Sequence, residues 1–410
     1  MPQAHAEPYF PGPIFSVEDG DTPSVPRVLI APARYVQGPG VFSHLGRYLG
    51  PLEVKRPAVL ASEGGHAREG ASIVAGLRQA GLDPVAVTFE GESSVEEIER
   101  IVALLREASS SVDALIAVGG GKCLDTGKCV AYRMHVPMAS CPTIASNDAP
   151  CSALSVVYTP EGSYEAVEFF PDSPALVVVD TAVVARAPLR YLVSGMGDGL
   201  ATWYEARTCF RNPSARSAVG ARPTVASMTL GEACASTIRE FGPGSIAAVQ
   251  ARRVDEALER VVEANTLLSG IGFESGGCAA AHAIATGAFP ALPAVHASCL
   301  HGEMVAFGLL AQLVLEGEME EAEDVAGFLA AVGLPVHLGQ IGLDPDHDAD
   351  AIRAAADIAA GVFLMANEPF EVTAGSVHAA LLGAHELGLE AAARRGDVAY
   401  RALHPEPAVA

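Results

Sequence analysis

A chain of 410 residues, half of them hydrophobic and 18% charged, supplies a large buried core and exceeds one comfortable domain, so two domains are expected. Its formal charge of −23 repels nucleic-acid backbone and anionic lipid, which removes both as expected partners. No apolar run of roughly 18 residues is present to span a bilayer, and the opening Met1-Pro2-Gln3-Ala4-His5 lacks the basic and apolar regions of a secretory signal, so a cytoplasmic protein is expected.

Residues 1–25 are rich in Pro, Gly and acidic side chains and carry no sustained period, which reads as a surface-draped or flexible extension. Strand and helix patterns then alternate. Pro57–Ala61 reads as a strand, 67–80 as a helix and Val85–Phe89 as the next strand. Ser94 and Glu97 form a capping-box pattern, followed at helical spacing by Ile98, Ile101, Val102 and Leu105. Ala114–Val118 is an apolar strand running into glycine; 137–141 and 175–179 complete the set. Such alternation predicts a parallel sheet covered on both faces. Ser155–Tyr158 and Glu165–Phe169 flank Pro160-Glu161-Gly162 and read as a β-hairpin. Beyond it helical patterns dominate: 198–209, 222–240, 252–270, 303–316, 319–332 and 374–387, with a weakly structured tail after about 390. The eight cysteines form no CxxC pair; Cys123, Cys141, Cys151 and Cys278 lie in apolar or glycine-rich stretches and read as buried free thiols of a reducing compartment.

Two places carry chemistry. Gly119-Gly120-Gly121-Lys122 follows the strand 114–118 and opens a helix, where glycine lets backbone approach a pyrophosphate and the helix start offers unpaired N–H groups. Any tight strand–helix turn also needs glycine, and this is not the usual GxGxxG. At the first strand–helix turn, Glu63 could accept hydrogen bonds from an adenosine ribose, favouring NAD over NADP, or simply cap its helix. In the helical half, Asp198 (just before Leu200–Glu205), His282 and His301 form a carboxylate-plus-two-imidazole set suited to Zn²⁺ or Fe²⁺ with a position open for a substrate oxygen. Asp198 could equally cap a helix and either histidine could be a satisfied core residue; spacing alone does not decide.

Taken together, Gly119–Lys128 (GGGKCLDTGK), Thr143–Tyr158 (TIASNDAPCSALSVVY), Gly197–Ala206 (GDGLATWYEA), Ala257–Gly277 (ALERVVEANTLLSGIGFESGG) and His301–Gly308 (HGEMVAFG) resemble the glycerol dehydrogenases, a polyol branch of the iron-containing alcohol dehydrogenase superfamily. The resemblance runs over residues 28–390. It implies an α/β N-terminal nucleotide-binding domain with a parallel sheet plus an all-helical C-terminal domain, the dehydroquinate synthase-like fold of that superfamily. The implied boundaries are an extension over 1–25, an NAD-binding domain over 26–188, a metal-binding helical domain over 189–390 and a tail over 391–410.

By the same resemblance Asp198, His282 and His301 ligate the metal, Zn²⁺ or else Fe²⁺. Glu63, Gly119, Gly120, Gly121, Lys122, Thr143, Ser146, Ser152, Leu154 and Tyr158 contact NAD, and Asp148 contacts the polyol hydroxyls. Glu63 stands where the family usually has Asp, and Asn147 where it has Thr. The implied reaction interconverts glycerol or a related vicinal diol and its hydroxyketone, in a homo-oligomer that is commonly an octamer. Alternatives are a dehydrogenase for another alcohol, cyclitol or glycerol phosphate, and a non-catalytic descendant. The family's HAxHNG is here His282-Ala283-Ile284-Ala285-Thr286-Gly287, and the following Ala288–Leu300 is longer, so the substrate pocket is expected to differ.

Overall fold

The computed structural model describes residues 8–15, 25–107 and 111–405. Eight strands are formed among them: β1 Tyr35–Gly38, β2 Pro57–Ala61, β3 Val85–Thr88, β4 Ala114–Gly119, β5 Met138–Pro142, β6 Leu154–Tyr158, β7 Tyr164–Phe169 and β8 Leu176–Asp180. Six of them make one sheet in the order β1-β8-β5-β4-β2-β3, with every neighbouring pair parallel. Buried on both faces, β2, β5 and β8 are apolar almost throughout and lack the alternation of a half-exposed strand. Successive side chains still part to opposite faces. Leu60, Leu115 and Ala117 pack with Ile98 and Leu124 on one side, whereas Val59, Ile116 and Val118 pack with Ile73 and Leu77 on the other. The separate β6–β7 pair is the expected hairpin, antiparallel with a register shift at Val157/Tyr158.

β1 escapes the sequence pattern because it is a four-residue edge strand with every residue half-buried. The first helical stretch starts earlier than 67, at Glu63, and passes through one π turn (His66–Gly70) before Ala71–Gln79. At the helix Val95–Glu107 only half of the capping box forms: Ser94 Oγ accepts the Glu97 N–H at 3.2 Å, while the Glu97 carboxylate turns to the Glu90 N–H and Arg100.

β8 joins the sheet to the helices, since Val177 and Val179 belong to the helical core while Leu176 and Val178 face the sheet's own helices. That core is built by Leu189–Arg211, Val225–Gln250, Glu256–Gly276 with a π turn at Ala264–Leu268, His301–Glu316, Met319–Val332, Ala349–Ala360 and Ala374–Arg395. The second of these runs through Pro243, and Ala349–Ala360 is an addition to the sequence reading. The weak tail expected after about 390 does not hold for the described residues. The last long helix continues to Arg395 and Val398–Leu403 forms another turn, because Leu403 packs on the helical core and Tyr400 stacks on His404. The N-terminal extension falls largely outside the described residues; within them, Tyr9 bridges to Phe169 and Gly12–Phe15 makes one helical turn. Among the described residues no helix is long and apolar enough to cross a membrane, and all eight cysteines are free, Cys278 and Cys299 being only partly buried.

Candidate active site

The carboxyl ends of β2, β4 and β5 lie side by side, so the turns that leave them share one edge of the sheet. At β4 the chain passes from Gly119 through Gly120 into the helix Gly121–Met134. Gly120 has no side chain to cap that helix, which leaves its first N–H groups for an anion. None of the three glycines has a positive φ; what they need is room. A Cβ at Gly119 would sit 2.7 Å from the Cys123 Cβ, one at Gly120 3.0 Å from Ile144 and one at Gly121 2.9 Å from Asn147.

Around this loop, Thr143 is fixed by its N–H to the Gly119 carbonyl at 3.0 Å, and Ser146 offers its carbonyl to the Ser194 hydroxyl at 3.2 Å. Lys122 is exposed, paired with Glu92 and 5.7 Å over the Tyr158 ring. Glu63 is exposed at the end of β2, and it is not the cap: Ser62 Oγ accepts the Gly65 N–H at 3.1 Å. Ser152 and Leu154 lie deeper. The buried Lys128 ammonium donates to Ser152 Oγ at 3.0 Å, the Leu154 carbonyl at 2.6 Å and Asp125 at 3.1 Å, so this lysine ties the nucleotide-loop helix to the hairpin.

Across from the loop, Asp198 stands in the middle of the helix Leu189–Arg211. It is not a residue preceding a helix, so the capping alternative for it is removed. Three glycines made this stretch look irregular, but each marks a close crossing. A Cβ at Gly195 would lie 2.1 Å from the Ala145 carbonyl, at Gly197 2.3 Å from the Gly302 carbonyl and at Gly199 2.8 Å from Ile238. The reciprocal position, Gly302, would bring a Cβ to 1.9 Å from the Ser194 carbonyl. Backbone therefore meets backbone where this helix crosses His301–Glu316, and Asp198 is delivered beside His301.

Asp198 Oδ1 lies 3.3 Å from His301 Nε2 and 3.5 Å from His282 Nε2, with the imidazole centroids 5.6 Å apart. Asp198 is completely buried, and among the described residues this oxygen has no hydrogen-bond partner. Oδ2 accepts the Asp148 N–H at 3.2 Å. Burial alone would raise the Asp198 pKa, but the two imidazoles outweigh it and hold it below the usual carboxylate range. Both histidines move the other way: burial opposes their charge, yet Glu205 at His282 and Asp198 at His301 lift them above the ordinary imidazole value. The three ligand atoms lie within 4.8 Å of one another. An unpartnered carboxylate oxygen is costly to bury; one aimed between two imidazole nitrogens fits a divalent cation taking one oxygen and two nitrogen donors.

Glu205, to which the sequence reading gave no role, holds His282. Its Oε2 faces His282 Nδ1 at 2.5 Å, and its Oε1 accepts the N–H groups of His282 and Ala279 at 2.9 and 2.7 Å. That contact places the proton on Nδ1 and leaves Nε2 for an ion. Glu205 lies two helical turns beyond Asp198 on the same helix face, which is the spacing that could have disclosed it.

Asp148 completes the centre. It is buried, Ser269 Oγ approaches its Oδ2 at 3.4 Å, and burial together with the Asp198 carboxylate pushes its pKa up to about 7. The structure thus brings Asp148, Asp198, His282 and His301 into one cluster. The altered segment after His282 folds as a π turn (Ala283–Ala288) and short helical turns through Pro293–Ser298, with Thr286 Oγ1 turned inward to the His282 carbonyl at 2.6 Å.

Residues 32–181 match the family described as iron-containing alcohol dehydrogenase. The chain is 44% identical over 369 residues to the glycerol dehydrogenase of Citrobacter freundii, covering 90% of this chain and all of that one. It is 43% identical over 365 residues to a glycolaldehyde reductase of Halobacterium salinarum, covering 88% and 98%. Among solved structures, the crystal structure of glycerol dehydrogenase from Schizosaccharomyces pombe superposes with a TM-score of 0.84 at 34% identity, covering 90% of this chain and 93% of that one. The chain belongs to the glycerol dehydrogenase family of the iron-containing alcohol dehydrogenases, and is an alcohol oxidoreductase.

Proposed function

We propose that this enzyme oxidises glycerol or a related vicinal diol to the hydroxyketone with NAD, using a divalent ion, zinc in preference to iron, held by Asp198, His282 and His301. One observation carries the metal part: the buried, unpartnered Oδ1 of Asp198 between two imidazole nitrogens. When bound, the ion would polarise the substrate hydroxyl as a Lewis acid and NAD would accept the hydride.

The chain's own residues supply position. Gly119, Gly120 and Gly121 keep the helix start open to a pyrophosphate, and Thr143 and Ser146 frame the same edge. Glu63, uncommitted at the end of β2, is placed for a ribose hydroxyl, which favours NAD over a 2′-phosphate. Tyr158 and Lys122 border the loop, whereas Ser152 and Leu154 serve through their grip on Lys128. Asp148 accepts the neighbouring substrate hydroxyl at its carboxylate, beside Ser269 Oγ. Glu205 keeps His282 in the tautomer that ligates.

The rim formed by Ala283–Ser298 departs from the family pattern, and a relative at 43% identity carries the name glycolaldehyde reductase, so reduction of a hydroxyaldehyde is the second reading. Eight free cysteines suit a cytoplasmic compartment, and a homo-oligomer, an octamer by family likeness, is part of the proposal. So is a division into a nucleotide-binding unit over 26–188 and a metal-binding unit over 189–390, with the sheet ending at Asp180 and the first long helix opening at Leu189. The test is NAD reduction with glycerol, 1,2-propanediol, 2,3-butanediol and cyclitols, and NADH oxidation with glycolaldehyde, after loading with Zn²⁺ or Fe²⁺. Highest kcat/KM on a vicinal diol supports the first reading, and preference for the aldehyde the second. Failure of the protein to bind either metal or NAD overturns both.

A further inference from the structure

We propose that His404 is a positioning residue for the metal centre, by which the C-terminal segment fastens the helix presenting His301 to the helix presenting Asp198. The proposal rests on the metal reading above. Glu303 lies in the first turn of His301–Glu316 and is buried; Arg190 lies in the first turn of Leu189–Arg211, upstream of Asp198. Arg190 Nε reaches Glu303 Oε1 at 2.7 Å and Nη2 reaches Oε2 at 2.7 Å, and the same Nη2 donates to the Ser298 carbonyl. This fork joins the two ligand-bearing helices directly.

A buried ion pair is sound only when its remaining lone pairs are also met. Two further donors meet them here: the Leu300 N–H at 2.7 Å on Oε2, and His404 Nε2 at 2.8 Å on Oε1. His404 is itself held from three directions. Its Nδ1 faces the Tyr400 carbonyl at 2.9 Å, its ring stacks on Tyr400 with centroids 4.0 Å apart, and the Tyr400 hydroxyl donates to the Gln340 carbonyl. Behind them Leu403 packs on the helical core, and Ala399 lies against Gly333 closely enough that a Cβ there would meet its carbonyl at 2.7 Å. A chain end tethered this way is a fixed abutment.

The centre has one ligand that needs such support. Side-chain exposure is 34% for His301 against 8% for His282 and 1% for Asp198. Glu205 orients His282, but among the described residues the only side chain in hydrogen-bonding or ionic contact with the His301 ring is Asp198 itself. The placement of His301 therefore depends on the first turn of its helix, which Glu303, Arg190 and His404 lock. Release of the ion begins at its most exposed ligand, so loosening that turn speeds release.

The test compares full-length wild type, His404→Ala and His404→Gln, loaded with Zn²⁺. It follows release to a chromophoric chelator, NADH binding by fluorescence, and melting of the metal-free and loaded forms. His404→Ala is expected to weaken zinc affinity and speed release about tenfold, with NADH binding unchanged. His404→Gln should recover most of it, because its amide N–H can replace Nε2–H. In His404→Ala the metal-free Tm falls, since Glu303 Oε1 loses a donor, and the zinc-induced rise above it also shrinks. Unchanged release, or an equal fall in Tm with and without zinc, would show His404 to be only structural and overturns the proposal. A wild type that takes up no zinc would instead overturn the metal reading beneath it.

Discussion

The two ends of the candidate site are made of different material. At the nucleotide end the working parts are backbone: three consecutive glycines, a strand end and an uncapped helix start, all contiguous in the chain. At the metal end they are side chains from four separated segments, buried except for the half-buried His301 and each needing a neighbour, as His282 needs Glu205 and Asp198 needs the two imidazoles. A backbone site should tolerate side-chain replacement and fail when a Cβ is added. A side-chain site should do the reverse, and should be lost along with its supporting layer.

Asp198→Ala gives the largest expected effect. It removes the carboxylate on which both imidazoles converge, so bound metal and about a thousandfold of kcat/KM should go while NADH binding persists. Metal analysis with steady-state kinetics checks it, and full turnover would show that the ligands are misassigned. Glu205→Gln should cost roughly 10–100-fold in metal affinity, because it weakens the partner of His282 Nδ1 and leaves the nucleotide loop untouched. Equal losses of metal and NADH binding would break the separation between the two ends.

Behind His282, Glu368 is buried against the Ala280 N–H, and burial followed by the Glu316 carboxylate pushes its pKa up to about 8. A folded pKa above the unfolded one means the proton is retained on folding. The stability this confers is complete below the ordinary carboxyl range and is lost as pH rises toward 8. Glu368→Gln keeps the neutral form at all pH, so its stability relative to wild type should rise between pH 5 and pH 8, by about 3–4 kcal/mol. Chemical denaturation at the two pH values decides it, and a pH-independent difference would refute the protonated acid.

At the other end, Gly119→Ala would press a Cβ onto Cys123 and should weaken NADH binding about tenfold with zinc affinity intact. Lys122→Ala should change KM for NAD by only about two- to threefold, since this exposed lysine is shared with Glu92 in high dielectric.

The same contrast governs how much could be read beforehand. Strands β2 to β8 and the glycine loop were legible because each is announced by adjacent residues: an apolar or alternating run, and in β4 a run that passes straight into glycine. β1 was not, being short, polar and at the edge. At the metal end the candidates were visible, but neither their convergence nor the helix around Asp198 was. Gly195, Gly197 and Gly199 look like helix breakers in sequence, and only the facing carbonyls of Ala145 and Gly302 and the side chain of Ile238 explain why a helix keeps them. The metal triad came from family likeness and not from spacing. The grip of His404 on Glu303 joins segments that share no local pattern.

The crossing at Gly197 and Gly302 also bears on how such an enzyme can diversify. Where two helices meet through their carbonyls, no exchange of core side chains can move them closer or farther apart by small steps. The reaction centre is thereby insulated from ordinary sequence drift. The segment Ala283–Ser298 at its rim has no such anchor, being a chain of short turns. New substrates would then be acquired by rewriting the rim around an unchanged chemical core, and the departure expected from the family pattern begins at Ala285.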